Sequence, residues 1–143
     1  MRLWSRIAAV LAFVPLMAAA QFNDLDTAVS NLTRGFGNGD PQAIVAGITT
    51  GDKVNLEFPG LVEQSGFFGR DQAAYLLDGL FSKVHPTGFE QQSARRVSAE
   101  GQYYITASWS IQPGGKADTR ELYITLKKQG DKWAVTSVRS GGK

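Results

Sequence analysis

Arg70 and Asp71 stand side by side where the aromatic stretch at residues 66–69 gives way to an amphipathic run that stops at Pro86. A carboxylate beside a guanidinium is a pairing that can hold a water or a general base in place. The same two residues are equally at home in the first turn of a helix. There, unpaired N–H groups and the positive end of the dipole favour a carboxylate. The spacing decides for the helix. Ala73, Leu76, Leu77, Leu80, Phe81 and Val84 repeat on one face at helical intervals, while Asp71, Gln72, Asp78, Ser82 and Lys83 fall mainly on the opposite one. Lys83 and His85 suit the negative end, and Pro86 stops the helix by disfavouring the α conformation at His85.

Little else in the chain offers chemistry. It contains no cysteine and one histidine, His85. Thiol nucleophiles, thiolate metal ligands and redox sensing are thereby excluded, and a histidine-rich metal site or a histidine-based triad has no residues to build it. Beside Pro86 and without a second partner in sequence, His85 reads as a helix-terminal or surface residue. No catalytic residue, no metal ligand and no cofactor is expected.

The ends of the chain point to export. Arg2 and Arg6 form a positive n-region, residues 7–17 an apolar h-region, and Ala18, Ala19 and Ala20 the small-residue pattern that signal peptidase accepts. The apolar run is shorter than the ~20 residues a membrane-spanning helix needs. The expectation is therefore a signal peptide at 1–20, a single domain at 21–140, a flexible tail at 141–143 and no membrane span after cleavage. That places the protein in the periplasm or outside the cell. The 143-residue chain carries 15 basic and 13 acidic residues. Removing Arg2 and Arg6 balances the two, so no basic stripe is left to neutralise a nucleic-acid backbone.

Periodicity gives the elements. Leu25, Ala28, Val29, Leu32 and Phe36 mark one face of a helix over residues 22–36, begun by Asp24 and Asp26 and ended by the glycines of "GFGNGDP". Asp40 reads as the N-cap and Pro41 as the first residue of a second, short helix burying Ile44, Val45 and Ile48. "VNLEFPG" alternates with Val54, Leu56 and Phe58 on one face, and "LVEQSGFFG" reads as its returning strand. After the helix that starts at Arg70 come four strand-like segments punctuated by "EG", "PGGKAD" and "QGD", as in an antiparallel meander. The order α-α-β-β-α-β-β-β-β indicates an α+β domain, three helices packed on one face of a curved antiparallel sheet.

With this order in hand, three stretches carry a family resemblance: "GFGNGDPQAIVAGI", "FFGRDQAAYLLDGLF" and the closing hairpin "LYITLKKQGDKWAVTSV". The chain resembles the nuclear-transport-factor-2-like and SnoaL-like superfamily, a cystatin-like cone fold, and looks most like a family of small exported bacterial domains of unknown function. The resemblance implies fold more than activity. It brings two enzymatic precedents, isomerases with an aspartate base and oxyanion donors, and epoxide hydrolases with an Asp-Arg-Asp arrangement around a water. Alternation turns Glu57 away from Val54, Leu56 and Phe58, and Asp71, Asp78 and Asp118 fall on helix surfaces or in turns. No acid is placed inside the cone, so the resemblance lends no catalytic residues.

The cone implies an apolar interior, a usual kind of ligand site. Tyr103, Ile105, Ala107, Trp109 and Ile111 share the inward face of one strand, continued by Leu122, Ile124 and Leu126 on the next. The pocket candidates are Trp109, either a wall or a core residue; Tyr103; and Arg95. Arg95 lies in simple alternation with Phe89 and Val97, and would either bring a charge to the mouth or reach solvent. The outward face carries Tyr104, Thr106, Ser108 and Ser110 beside Tyr123 and Thr125. Members of the resembled superfamily often dimerise through this face, and tyrosine suits interfaces. Tyr104, Ser108 and Tyr123 are therefore the candidates for a homodimer contact. The expected function is a non-catalytic exported module that binds a small apolar ligand or another protein. The alternative is a cone-fold enzyme of the isomerase or hydrolase type acting on an apolar ligand.

Overall fold

The computed structural model describes residues 24–97, 99 and 101–141, so the signal-peptide expectation lies outside the described residues. Helix α1 (Asp24–Asn38) carries Asp24 and Asp26 in its first turn and buries Ala28, Leu32, Gly35 and Phe36. Asp24 does more than favour the dipole, since its Oδ2 accepts the backbone N–H of Trp133 at 2.8 Å. The chain turns at Gly39, whose φ of 70° suits glycine. Helix α2 (Pro41–Val45) then starts as expected, with Asp40 Oδ1 accepting the N–H of Gln42 at 3.2 Å.

Strand β1 (Val54–Glu57) buries Val54 and Leu56. Its return, β2 (Gly66–Phe68), is only three residues long. Residues 61–65, expected as part of that strand, instead form a loop, because Leu61 and Val62 turn their N–H groups back onto the Phe58 carbonyl at 3.0 and 2.9 Å. Helix α3 (Arg70–Val84) buries Ala73, Leu77, Leu80, Phe81 and Val84. At its end His85 adopts the left-handed conformation, φ 47°, and donates its backbone N–H to Phe81 O. The αL termination joins the following proline in ending the helix.

The meander follows: β3 (Gly88–Val97), β4 (Gln102–Ile111), β5 (Asp118–Gln129) and β6 (Lys132–Ser140). The six-stranded sheet runs β2-β1-β6-β5-β4-β3. Three findings depart from simple alternation and a simple meander. First, β1 pairs with β6 in parallel, Asn55 opposite Ser137 and Glu57 opposite Arg139, so the sheet is mixed where an antiparallel one was expected. Parallel neighbours need a long crossover, and α3 with the meander supplies it. Second, a β-bulge between Gln91 and Ser93 shifts the β3–β4 register. Phe89 faces Trp109, on the inner side, whereas Arg95 faces Tyr104, on the outer. Third, the first residue of the expected tail is hydrogen-bonded to the sheet. Ser140 is a buried β6 residue and Gly141 donates to Glu121 O at 2.9 Å.

Helices and sheet close over one core. Trp109, Phe36, Leu56, Leu77, Leu122 and Ile124 are its fully buried centre. Each such side chain contributes about 1.5–3 kcal/mol by leaving water. Among the described residues no helix is long and apolar enough to cross a membrane.

Candidate functional site

The inside of the cone is occupied by its own aromatic rings. Phe36 meets Trp109 edge-on at 5.6 Å and Phe81 at 5.8 Å, and stacks on Phe89 at 6.1 Å. Phe58 and Phe81 close on Trp109 from other sides, each at 6.2 Å. The Trp109 indole N–H donates to the Phe36 carbonyl at 2.9 Å, which satisfies the one polar group it carries into the core. With 0 % of its surface exposed, Trp109 forms part of the packed core. Tyr103 is half-buried at the other end of the inner face, edge-on to Trp133 at 6.3 Å. Arg95 does not reach the mouth of the cone. The bulge places it on the outer face, its guanidinium 5.4 Å from the Tyr104 ring centroid. Arg96 takes the inward position and lies over Trp133, also at 5.4 Å. The three pocket candidates therefore do not converge.

An acid does stand on the inner register of the sheet, where turn signals had hidden it. Asp118 opens β5 opposite Ile111, and Arg120 lies opposite Trp109. Arg120 Nε donates to Asp118 Oδ2 at 3.2 Å and its Nη1 to Pro59 O at 3.3 Å. The side chains are 11 % exposed for Arg120 and 16 % for Asp118. Alternation run backwards from Leu122 would have found both residues. The carboxylate is engaged by its guanidinium, and neither residue lines any of the three surface depressions described below.

Arg70 and Asp71 do not pair. Arg70 donates to Val45 O at 3.3 Å and to Thr50 Oγ1 at 3.1 Å, fastening the start of α3 to the end of α2 and the segment after it. Asp71 is exposed in the first turn, and the cap is completed by Gln72, whose Oε1 accepts the N–H of Gly69 at 3.2 Å. A depression of about 550 Å³ lies beside this junction, with Lys53, Asp52 and Gln42 on its lining. His85 is exposed. Among the described residues no group of three or more His, Cys, Asp or Glu is placed to hold a metal ion.

The outer sheet face gathers Tyr104, Ser108 and Tyr123 together, as alternation places them. Arg139 lies over Tyr123 at 5.4 Å, matching Arg95 over Tyr104, so two arginine–tyrosine pairs flank the face. Tyr123 Oη donates to Glu121 at 2.8 Å. This bond, with the repulsion of the carboxylate, holds the phenol above its ordinary value of 10.0. A shallow depression of about 420 Å³ lies at the centre, between Tyr104, Tyr123, Glu57 and Arg139. A larger groove, about 760 Å³, runs along the exposed side of α3, bounded by the 61–64 loop and Phe68. Tyr75, 85 % exposed, stands on its lining. Sequence reading missed this groove because it took residues 61–65 as strand.

A family described as "domain of unknown function (DUF4783)" matches residues 29–140. A solved DUF4783 family protein from Bacteroides ovatus is 18 % identical, covers 79 % of this chain and 94 % of its own, and superposes with a TM-score of 0.63. Another from Bacteroides uniformis gives 14 % identity, 80 % and 95 % coverage and a TM-score of 0.66. An NTF2-like protein from Anabaena variabilis gives 22 %, 85 % and 91 %, and 0.61. No curated protein matches the chain. At these identities the likeness is one of fold, and the fold is the nuclear-transport-factor-2-like cone.

Proposed function

This chain belongs to the DUF4783 family, and from that premise we propose a non-catalytic domain of the bacterial envelope, exported by residues 1–20, that acts through its surface. One observation carries this reading. The interior that such a fold would use for a ligand is filled by Phe36, Phe58, Phe81 and Trp109, with Trp109 and Phe36 fully buried. Asp118 lines none of the three depressions, and its carboxylate is already held by Arg120. The packed cone interior counts against the enzymatic alternative.

The surface proposed to act is the outer sheet face, and its proposed partner is a second copy. Tyrosine and arginine are the residues enriched at the centres of protein interfaces, and here two arginine–tyrosine pairs lie on the same face as the cross-strand neighbours Ser108 and Glu121. Sedimentation of the mature domain tests this. Wild type is expected as a dimer, and Ser108→Glu as a folded monomer, because an unpartnered carboxylate would be desolvated in the interface. A wild type that stays monomeric at high concentration removes the sheet-face dimer. Mass analysis of envelope protein tests the export arm, with Gln21 expected as the first residue and retained Met1 against it.

A further inference from the structure

The groove along α3 has features that helix building and core packing leave unaccounted for. Gln72, Leu76, Gly79 and Lys83 follow one another along it at helical spacing, a length of roughly 17 Å at 1.5 Å per residue. Gly79 lies in the middle of a fifteen-residue helix, where glycine is about 1 kcal/mol worse than alanine. Packing does not demand it, since a Cβ built there would meet no heavy atom within 4 Å. Gly35 in α1 is the contrast, because a Cβ there would lie 2.4 Å from Ile44 Cγ1. Beside the open position stands Tyr75, a large ring left 85 % exposed. Val62, Phe68 and Leu76 add half-buried apolar surface on the same lining.

The charges on the groove are unequal. Glu63 and Asp71 lie on its lining, and among the described residues neither has an ion-pair partner. Lys83, the cation on the lining, has its Nζ directed to the Leu61 carbonyl at 3.1 Å. An apolar trough of this volume falls in the range of small-molecule sites, and its free carboxylates select the sign of the occupant.

We propose that the α3 groove binds an elongated apolar molecule bearing one cationic group, with the chain lying over Gly79 between Tyr75 and the 61–64 loop and the cation facing Asp71 or Glu63. The site lies outside the filled cone and away from the outer sheet face, so it stands independently of self-association.

Titration of isotope-labelled protein with octylammonium, octanol and octanoate, followed by backbone amide shifts, tests the site and its charge preference together. Octylammonium is expected to perturb residues 61–64 and 72–83 and to bind about fivefold tighter than octanoate, as one exposed attraction exchanged for a repulsion gives. Gly79→Leu fills the trough while improving helix propensity, so it is expected to keep or raise the melting temperature and lose at least about tenfold in binding. Asp71→Asn combined with Glu63→Gln should bring octylammonium down to the level of octanol. Ser108→Glu should bind as wild type, whatever its oligomeric state. No binding by any of the three probes, shifts centred on the outer sheet face, octanoate binding as tightly as octylammonium, or unimpaired binding by folded Gly79→Leu would each overturn the proposal.

Discussion

Replacing Gly35 by alanine sets two effects of known sign against each other, and the geometry decides between them. Alanine is the better helix former by about 1 kcal/mol. Its Cβ, however, would lie 2.4 Å from Ile44 Cγ1, 2.9 Å from Ile44 Cδ1 and 3.1 Å from the Asp40 carbonyl oxygen. Ile44 is 1 % exposed and β-branched, so its Cγ1 has little freedom to move aside. Asp40 is held as well, donating its N–H to Gly35 O at 2.9 Å. Overpacking of this kind costs about 1–3 kcal/mol, and a contact this short belongs at the upper end. The net expectation is a loss of about 2 kcal/mol, or about 6–12 °C in melting temperature for a domain of this size. Urea unfolding followed by tryptophan fluorescence measures it. In an Ile44→Ala background the two shortest contacts are gone and the Asp40 carbonyl at 3.1 Å remains, so Gly35→Ala should become close to neutral, a coupling of about 1–3 kcal/mol. If Gly35→Ala stabilises the wild type, or costs as much with Ile44 truncated, steric exclusion at this helix crossing is refuted.

The same substitution at Gly79, where nothing lies within 4 Å, should raise stability by about 0.5–1 kcal/mol in the same unfolding experiment. Ser140 is 2 % exposed and its Oγ has no hydrogen-bond partner among the described residues. Ser140→Ala should therefore leave stability unchanged or raise it by about 1 kcal/mol, read as an unfolding midpoint that does not fall. The phenol of Tyr123 is raised because Glu121 accepts its proton and repels its anion. Its contribution to stability is thus present below the ordinary value and lost as pH rises through the raised one. Glu121→Gln should bring this ionisation down, measured as phenolate absorbance against a Tyr123→Phe reference.

Local rules carried the sequence far where neighbours in the chain are also neighbours in space. The buried stripes of α1 and α3, the Asp40 cap and the alternation of β4 and β5 all follow from residues a few positions apart. The expectations that failed depend on something else. The bulge at Gln91–Ser93 sits in a run of polar residues, "EQQSARR", where no apolar alternation marks a change of face. Arg95 was consequently assigned to the wrong side. Asp118 was absorbed into the turn signal "PGGKAD", although its pairing with Ile111 makes it the first inward residue of β5. The parallel partnership of β1 and β6 joins residues some eighty positions apart and leaves no periodic trace. Of the surface features, the outer sheet face was legible because alternation writes it directly. The α3 groove was not, since it depends on where the 61–65 loop lies in three dimensions.

That partnership of β1 with β6 also fixes an order of events during synthesis. Trp133 and Val135 donate backbone N–H groups to Asp24 and Gly47, and Asn55 pairs with Ser137. Everything before α3 is thus fastened to the sheet by a strand that ends at Ser140. A nascent chain halted before residue 132 can form helices and the β3–β5 meander, but it holds α1, α2 and the β1–β2 hairpin without the backbone ladder to β6, by packing and by the side-chain hydrogen bonds of Arg70, Trp109 and Arg120. Such long-range closure slows folding. Strand β6 is the clasp, and until it leaves the ribosome β1 lacks the backbone ladder onto which it locks.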